Sequence, residues 1–474
     1  MEIALWLAVC VPVGGAFLLP LFSKVSEKLR NTLALLFVLN SFVCSALLLP
    51  AALAGHPVSI AIPLPLGMSF GFLADSLAVF MAMISSFVGS VIVLYSFTYI
   101  NHYNHKSEYY LMVALFLGAM MGLVYSTNLI FLYTFWEISA ICCWRLIGFY
   151  RDPLFVFRAN KAFLITVFGA LVMLLGFLVI YQQTGTFDLT KLRGARIPDT
   201  AVILILAGLL SKSATLPLHT WLPDAGVAPS PVTSLLHAAV LVKIGVYAYA
   251  RFFLVTFTVS GFWHTVVPVI AAVSALVSAG AAIRENDIKR IIAYSTVSQI
   301  GFIFLGLSTG SVMGAAGGLL YIMMHSIAKG GLFLCAGIVE HNTGTKDVRK
   351  LGGLWKTMPV TAVSFLLCAF SIMGIPPFGG FFSKYMVIGG AVTAGKPWIA
   401  VVFAAGAVLT FIYLLRAFTL VFMGEMKTEA EEGSRSMVAS VVGLAALSLA
   451  GGLLIYFPSA FALNIVSKMG GIVQ

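Results

Sequence analysis

Fourteen apolar segments, each close to the length of a membrane-spanning helix, dominate this chain of 474 residues. A spanning helix requires about 20 mainly apolar residues. The segments are 3–22, 31–53, 72–100, 109–125, 128–149, 160–181, 201–218, 230–253, 262–283, 290–308, 312–340, 358–390, 397–423 and 437–457. Since 60% of the residues are hydrophobic and only 9% are charged, a soluble core cannot hide the apolar surface. The sequence therefore predicts an all-α membrane protein with about 14 transmembrane helices, in which residues 1–474 form a single transmembrane domain.

Two of the segments contain sequences that interrupt a helix. The seventh carries Thr-Leu-Pro at 215–217, and the twelfth carries Gly-Ile-Pro-Pro at 374–377. Proline lacks a backbone donor and clashes with the preceding turn, so helical hydrogen bonding must break at both places. At membrane depth, a broken helix is tolerated only where protein or a water-filled cavity satisfies the freed backbone groups. A pair of broken helices is typical of transporters that consist of two related halves.

Basic residues are distributed unevenly between the connecting loops. Loops that follow odd-numbered segments hold 17 lysines and arginines, Lys289 among them. Loops that follow even-numbered segments, with the tail, hold 6, and these include Arg251 at the end of the segment 230–253. By the positive-inside rule the odd-numbered loops are cytoplasmic, and both termini of this multi-pass plasma-membrane protein are predicted to lie outside. This distribution explains the net charge of +11 better than a nucleic-acid surface does, so no nucleic-acid partner is expected.

The remaining charges fall inside predicted helices. The basic ones are Lys212, Lys243, Lys329, Lys384 and Arg416, and Glu137 is the acidic residue that lies well inside a segment. An unpaired charge at the centre of a bilayer costs at least about 2.5–3.5 kcal/mol. These groups must therefore face the protein interior, find partners or water, or lose their charge. Since burial disfavours a charged lysine and a nearby carboxylate favours it, a buried lysine beside a carboxylate is a switchable proton site.

Glu137 and Lys212 each have a structural and a functional interpretation. A static ion pair that holds helices together would explain Glu137, and snorkelling to the interface would explain Lys212 near the end of its segment. In the functional interpretation, Glu137 is a carboxylate that modulates the protonation of a lysine. The break beside Lys212 favours this interpretation, because carbonyl groups and water there can solvate an ammonium.

Lys243 lies near the middle of its segment, from where snorkelling is difficult. His237 is six residues upstream, about 9 Å along the helix axis, which fits a water-bridged relay. His325 and Lys329 are four residues apart and share one helix face. A lone histidine is more often a satisfied core residue, but a histidine one turn from a mid-membrane lysine favours a proton relay.

Four further candidates are Lys384, Arg416, His219 and Asp224. Lys384 follows the second break as Lys212 accompanies the first, whereas Arg416 remains protonated and would anchor or stabilise rather than shuttle protons. His219 and Asp224 lie at the predicted cytoplasmic mouth, where they form either an uptake site or a loop cap. The six cysteines lie in apolar segments, and no dinucleotide, phosphate-loop or metal-ligand motif occurs, so we expect neither cofactor nor metal.

Several long motifs occur in one order along 70–460. They are Phe135–Glu137, Lys212–Ala225, Ala228–Val232, His237–Ala239, Tyr294–Gly301, His325–Lys329, Gly374–Pro377 and Phe381–Lys384. With these motifs the chain resembles the antiporter-like subunits of respiratory complex I, the large subunits of Mrp-type Na+/H+ antiporters and the membrane subunits of energy-converting hydrogenases. The resemblance implies N-terminal helices (1–108), two inverted five-helix repeats that each contain a broken helix (109–253 and 262–423), and a C-terminal helix and tail (437–474).

The resemblance also implies a central chain of protonatable residues. Carried over by position, Glu137 pairs with Lys212, and Lys243 is the central relay. His325, Lys329 and Lys384 lead to the exit, and some members of the family carry glutamate where Lys384 stands.

We therefore expect a proton-translocating subunit of a redox-driven complex of complex I or hydrogenase type. No redox centre is visible in the sequence, so the oxidoreductase reaction would come from peripheral redox subunits, and other membrane subunits would be further partners. One alternative is an Mrp-type Na+/H+ antiporter subunit that is not coupled to redox chemistry, and another is a scaffold with static ion pairs. Whether H+ or Na+ moves is left open.

Overall fold

A computed structural model of the chain describes residues 1–65 and 68–469. Over these residues the protein is a bundle of α-helices, which confirms the predicted fold class. Within the described residues, twelve continuous helical stretches are long and apolar enough to cross a membrane. The last five residues of the predicted tail (437–474) lie outside the described residues.

Short connections join the helices. They are α1 (Glu2–Ser23), α2 (Glu27–Ala54), α3 (Ser76–Tyr99), α4 (Lys106–Tyr125), α5 (Leu129–Ile147), α6 (Pro153–Thr184), α7 (Asp199–Lys212), α8 (Trp221–Asp224), α9 (Ser230–Ser234), α10 (Leu241–Tyr249), α11 (Trp263–Arg284), α12 (Ile288–Leu307), α13 (Val312–Thr343), α14 (Pro359–Met373), α15 (Gly379–Thr393), α16 (Pro397–Phe422), α17 (Arg435–Leu453) and α18 (Tyr456–Ser467). Two π-helical stretches, Leu235–Ala239 and Ala250–Thr256, make α9 and α10 part of one span of 27 residues, Ser230–Thr256.

Short strands lie in the connections. The antiparallel strands β1 (Val58–Pro63) and β2 (Ser69–Ala74) pair between α2 and α3, with Val58 opposite Ala74. Two further strands, β3 (Ala195–Arg196) and β4 (Phe257–Thr258), pair in parallel. These strands contribute little to the bundle, whose core consists of packed helices.

Two of the fourteen predicted segments are broken helices, which accounts for the difference between fourteen and twelve. The backbone after α7 is not helical over 213–220, and α14 is separated from α15 by 374–378. The halves α7, α14 and α15 have 14, 15 and 15 residues, fewer than the about 20 that a span requires. The breaks lie where the prolines predict them, one in each of the predicted repeats 109–253 and 262–423. That the repeats are inverted remains a prediction.

Helix α13 lies at the centre of the second half, where it packs against α12, α14, α15 and α17. Small residues permit the close approach of α15. A Cβ atom on Gly317 would lie 2.8 Å from the backbone nitrogen of Val387 and 3.0 Å from the carbonyl oxygen of Ser383. Such small residues are common where membrane helices meet. The contact fixes the position of Lys384, which follows Ser383, relative to the centre of the bundle.

The structure corrects the assignment of two cations to loops. Arg251 lies inside the Ser230–Thr256 span, is 7% exposed and forms a two-pronged ion pair with Asp75, with N–O distances of 2.5 and 2.8 Å. Lys289 is 1% exposed, and its Nζ atom lies 2.9 Å from Oε2 of Glu340. Both cations are thus buried beside a carboxylate, a condition that the hydropathy pattern did not reveal.

Replacing Asp75 with asparagine is expected to destabilise the protein by on the order of 3 kcal/mol, because Arg251 would stay buried without its counter-charge. The measurement is the thermal unfolding midpoint of the purified protein in detergent. Asp152→Asn is the matched control, since both aspartates cap a helix through a side-chain oxygen and asparagine preserves a cap. Equal midpoints for the two variants would contradict the expected role of the ion pair.

Candidate functional site

The four lysines predicted at membrane depth are all buried. Lys212, Lys243 and Lys329 are 0% exposed and Lys384 is 5% exposed. Over the described residues, none of the four ammonium groups has a carboxylate oxygen within 4.0 Å. Carbonyl, hydroxyl and imidazole groups contact them instead. The site is therefore a set of buried cations with neutral partners.

Lys212 is the last residue of α7, directly before the first break. Its ammonium donates a hydrogen bond of 3.1 Å to the carbonyl oxygen of Trp136 and lies 5.3 Å from the centre of the Trp136 ring. Glu137 is the next residue along α5, and its buried Oε1 atom has no hydrogen-bond partner within the described part of the chain. The implied pair is thus brought together as neighbours, without a direct ion pair. The negative end of the α7 dipole favours a cation at this position.

Lys243 is in direct contact with His325. The Nζ atom of Lys243 lies 2.7 Å from Nδ1 of His325 and donates a second hydrogen bond of 2.8 Å to the carbonyl oxygen of His237. This carbonyl belongs to a π-helical turn, a feature that often accompanies functional sites. When Lys243 is protonated, Nδ1 of His325 must be the acceptor. A proton can therefore pass directly between a lysine on α10 and a histidine on α13.

The side chain of His237 makes no direct hydrogen bond to Lys243 within the described residues, and the water-bridged relay stays a prediction. Its two ring nitrogens are buried and have no hydrogen-bond partner among the residues described. The ring packs against Phe333, with 4.4 Å between the ring centres. His237 therefore reaches Lys243 through its backbone carbonyl, and its imidazole is left as a buried group close to the relay.

Lys329, one turn after His325 on α13, contacts α12. Its ammonium donates to Oγ of Ser295 at 2.5 Å and to the carbonyl oxygen of Ile292 at 3.3 Å. The Ser295 hydroxyl lies 2.8 Å from the hydroxyl of Tyr413 on α16. Sequence reasoning included Ser295 in a motif without a role and did not single out Tyr413, because an uncharged side chain in an apolar segment gives no signal of its own.

Lys384, on α15, reaches back across the second break. Its ammonium donates to the carbonyl oxygens of Ile372 at 2.7 Å and Met373 at 3.2 Å, the last residues of α14. The final carbonyl groups of a helix lack partners within the helix, and this end carries partial negative charge. Gly374 has a φ of +82°, and a Cβ atom there would lie 2.9 Å from Cδ of Lys384. The break thus forms a carbonyl cradle for one cation.

Asp224 forms two ion pairs at the predicted cytoplasmic mouth. It accepts hydrogen bonds from Lys161 at 2.7 Å and Arg290 at 2.8 Å and so joins α6 to α12. Burial acts to raise the pKa of Asp224, but the two cations hold this pKa below its ordinary value. Close to it, Nδ1 of His219 is buried, with no hydrogen-bond partner in residues 1–65 and 68–469. The geometry fits the loop-cap interpretation of Asp224 and leaves an uptake role of His219 as a prediction.

Arg416 joins α16 to the connection between α11 and α12. Its guanidinium donates to the carbonyl oxygen of Glu285 and to Oδ1 of Asn286, both at 2.8 Å. These residues lie in the short connection between α11 and α12, so Arg416 fixes this connection against α16. The structural interpretation of Arg416 agrees with these contacts.

A cavity of about 400 Å³ lies apart from the lysines. Its lining includes Arg193, His264 and Lys396 but none of the predicted site residues. The four lysines are buried and do not line this cavity. Within the described ranges, no group of three or more His, Cys, Asp or Glu side chains is placed to hold a metal ion.

Comparison with known proteins links this arrangement to one family. The family described as "NADH:quinone oxidoreductase/Mrp antiporter, TM" matches residues 126–410, and "NADH-Ubiquinone oxidoreductase (complex I), chain 5 N-terminus" matches 63–110. One Na+/H+ antiporter subunit from Alkalihalophilus pseudofirmus is 34% identical and aligns with 98% of this chain. The chain spans 62% of the length of that relative.

Solved structures show the same fold. A chain of the Mrp complex from Dietzia sp. superposes with a TM-score of 0.90 at 23% identity, with full coverage of both chains. A chain of an archaeal membrane-bound sulfane sulfur reductase superposes with a TM-score of 0.89 at 24% identity, covering 100% of this chain and 98% of that one. Since the first family match covers more than half of its length, the chain belongs to the family of antiporter-like transmembrane subunits that NADH:quinone oxidoreductases share with Mrp antiporters.

Proposed function

We propose that the chain translocates protons as a subunit of an Mrp-type Na+/H+ antiporter complex in the plasma membrane. The observation that carries the proposal is the set of four buried lysines whose partners are all neutral. A counter-charge favours the protonated form of a lysine, whereas burial disfavours it. With neutral partners only, each ammonium is free to release its proton to the next acceptor, whereas a scaffold would be expected to pair its buried charges.

In this mechanism Glu137 controls the first lysine. Movement of its carboxylate toward Lys212 favours the protonated amine, and movement away favours release of the proton toward the centre. Lys243 passes a proton to Nδ1 of His325, and the imidazole releases the proton held on Nε2 toward Lys329. Lys384 then holds the proton in its carbonyl cradle before it leaves. The four lysines thus act in turn, and each is reloaded from the preceding group.

The antiporter proposal is better supported than the redox-driven complex that the sequence led us to expect. The curated relative at 34% identity is named as a Na+/H+ antiporter subunit. The likeness to the sulfane sulfur reductase, at 24% identity, is a likeness of fold. Other membrane subunits are therefore proposed as partners of this chain, and peripheral redox subunits are not part of the proposal.

Lys212→Ala is expected to lower Na+/H+ exchange by at least about tenfold, and Glu137→Gln is expected to lower it less, because the glutamine variant removes the control but keeps the carrier. The assay measures Na+-dependent pH changes in proteoliposomes that contain the whole complex. Lys191→Ala, at an exposed loop lysine, is the control. Unchanged exchange in both site variants would overturn the proposal. Proton movement that requires an electron donor, and not a Na+ gradient, would favour the redox-driven alternative.

A further inference from the structure

The amide of Gln299 lies in the centre of the polar groups between Lys329 and Lys384. Its Nε2 atom donates to the hydroxyl groups of Thr410 and Tyr413, both at 3.2 Å. Its Oε1 atom accepts a hydrogen bond from the hydroxyl of Tyr321. Gln299 and these three hydroxyl residues are 0% exposed. Both the amino group and the carbonyl group of the amide are therefore hydrogen-bonded.

On the Lys329 side, the hydrogen bonds run in one direction. The ammonium of Lys329 donates to Ser295, whose hydroxyl lies 2.8 Å from that of Tyr413. Because Tyr413 donates its single hydroxyl proton to Thr410, Ser295 is the donor in the bond to Tyr413. Tyr413 donates to Thr410 at 3.3 Å, and Thr410 donates to the carbonyl oxygen of Gly406 at 2.7 Å. This row of hydroxyl groups ends on a backbone carbonyl of α16, and so it does not lead to Lys384.

On the Lys384 side, the neighbouring group is Tyr321. The Lys384 ammonium lies 5.7 Å from the centre of the Tyr321 ring, and the hydroxyl of the same ring is bonded to Gln299. Over the described residues, the hydrogen bonds that link Lys329 to Tyr321, the tyrosine beside Lys384, thus pass through the Gln299 amide.

An amide differs from a hydroxyl in what it can transmit. A hydroxyl group accepts one proton on its oxygen and releases its own to the next group, so it ends unchanged. A primary amide that accepted a proton on oxygen and released one from nitrogen would become an imidic acid and would have to revert before the next transfer. Its carbonyl and amino groups also have fixed acceptor and donor roles. Gln299 therefore holds the two tyrosines in place without carrying protons between them.

We propose that Gln299 is an insulating gate between Lys329 and Lys384. In the arrangement described here the gate is closed, and a proton passes from Lys329 to Lys384 only when the amide moves away from the two tyrosines. The closed gate prevents uncoupled proton flow through the subunit when the coupled ion is absent. The inference rests on the proposed function, since it assigns a positioning residue to the proton path proposed above.

The test replaces the amide by groups that transmit protons. Gln299→Glu and Gln299→His keep a hydrogen-bonding side chain, and each variant side chain can take up and release a proton. Passive proton influx into proteoliposomes with the whole complex is driven by an imposed membrane potential without Na+. We expect an influx at least about tenfold above that of the native protein. Gln182→Glu, the same change at an exposed glutamine, is the matched control and is expected to give native influx.

A combination with a Lys384 variant identifies the route of the leak. Adding Lys384→Met to Gln299→Glu is expected to return the influx to the native level, because the exit group is then missing. Native influx in both single variants, at native protein levels, would overturn the gate, as would a leak that persists without Lys384. These outcomes are distinct from failure of the proposed function, which is judged by Na+/H+ exchange in Lys212→Ala. If that variant loses exchange while the Gln299 variants do not leak, only the gate is wrong.

Discussion

Replacing Lys243 with alanine is expected to lower Na+/H+ exchange by about 100-fold or more, the order of magnitude that a positioned proton-transfer group contributes. Lys243 touches His325 directly, at 2.7 Å, and so joins the helix that follows the first break to the helix that carries Lys329. Alanine opens a gap at this junction. The bundle is expected to remain folded, because removal of a buried ammonium also removes the cost of burying it.

A second substitution separates charge from proton transfer. Lys243→Arg keeps a cation of similar length, but a guanidinium stays protonated and cannot pass its proton on. We therefore expect exchange in Lys243→Arg to be as low as in Lys243→Ala. The thermal unfolding midpoint in detergent is expected to fall, because the fixed buried charge has no carboxylate partner. Native exchange in the arginine variant would show that a fixed charge is sufficient, and the relay through His325 would then be wrong.

Much of the fold follows from two local signals in the sequence. Long apolar segments predict membrane helices, and the prolines at 217, 376 and 377 predict the two breaks that the structure contains. The four lysines were recognisable for a related reason, since a charge in the middle of an apolar segment is costly and therefore conspicuous. Hydropathy and the effect of proline on the backbone depend on residues that are close in sequence. A single sequence is therefore enough to predict the membrane helices and their breaks.

Side-chain partners depend on contacts between helices that are distant in sequence. A hydropathy pattern does not predict such contacts. Arg251, near the end of the segment 230–253, was counted with the loop cations because a charged residue there marks a boundary. In the structure it lies inside the Ser230–Thr256 span, and Asp75 compensates its charge. Gln299 and Tyr413 carry no charge, and so nothing distinguishes them from other polar residues in the apolar segments. The contact between Lys243 and His325 joins residues 82 positions apart.

The buried cations fall into two groups that the sequence did not separate. Arg251 and Lys289 each have a carboxylate partner, at 2.5 and 2.9 Å, whereas the four lysines of the site have none within the described residues. A buried pair that loses one partner leaves an uncompensated charge, so paired cations are suited to holding helices together. An amine with neutral partners can change its protonation state without leaving such a charge. The presence of a carboxylate partner, more than burial, thus distinguishes the two paired cations from the four lysines of the proposed proton path.

The carbonyl cradle of Lys384 leads to a prediction with a large expected effect. Lys384→Glu would place carboxylate oxygens where the ammonium now donates to Ile372 and Met373, so acceptors would face acceptors at the negative end of α14. The charged form would be disfavoured by about 3 kcal/mol, the cost of an unpaired charge at depth. At about 1.4 kcal/mol per tenfold, this corresponds to a decrease in exchange of more than about 100-fold.

Lys384→Gln is the matched comparison, since its amide can donate to the same two carbonyl groups but has no proton to pass on. We expect both variants to lose exchange, and only the glutamate variant to lower the thermal unfolding midpoint in detergent. Some members of the family carry glutamate at the position of Lys384. In those proteins another donor must then bind the two carbonyl groups. Native exchange and a native unfolding midpoint for Lys384→Glu would show that the break does not select a cation, and the carbonyl cradle would lose its role in the proposed proton path.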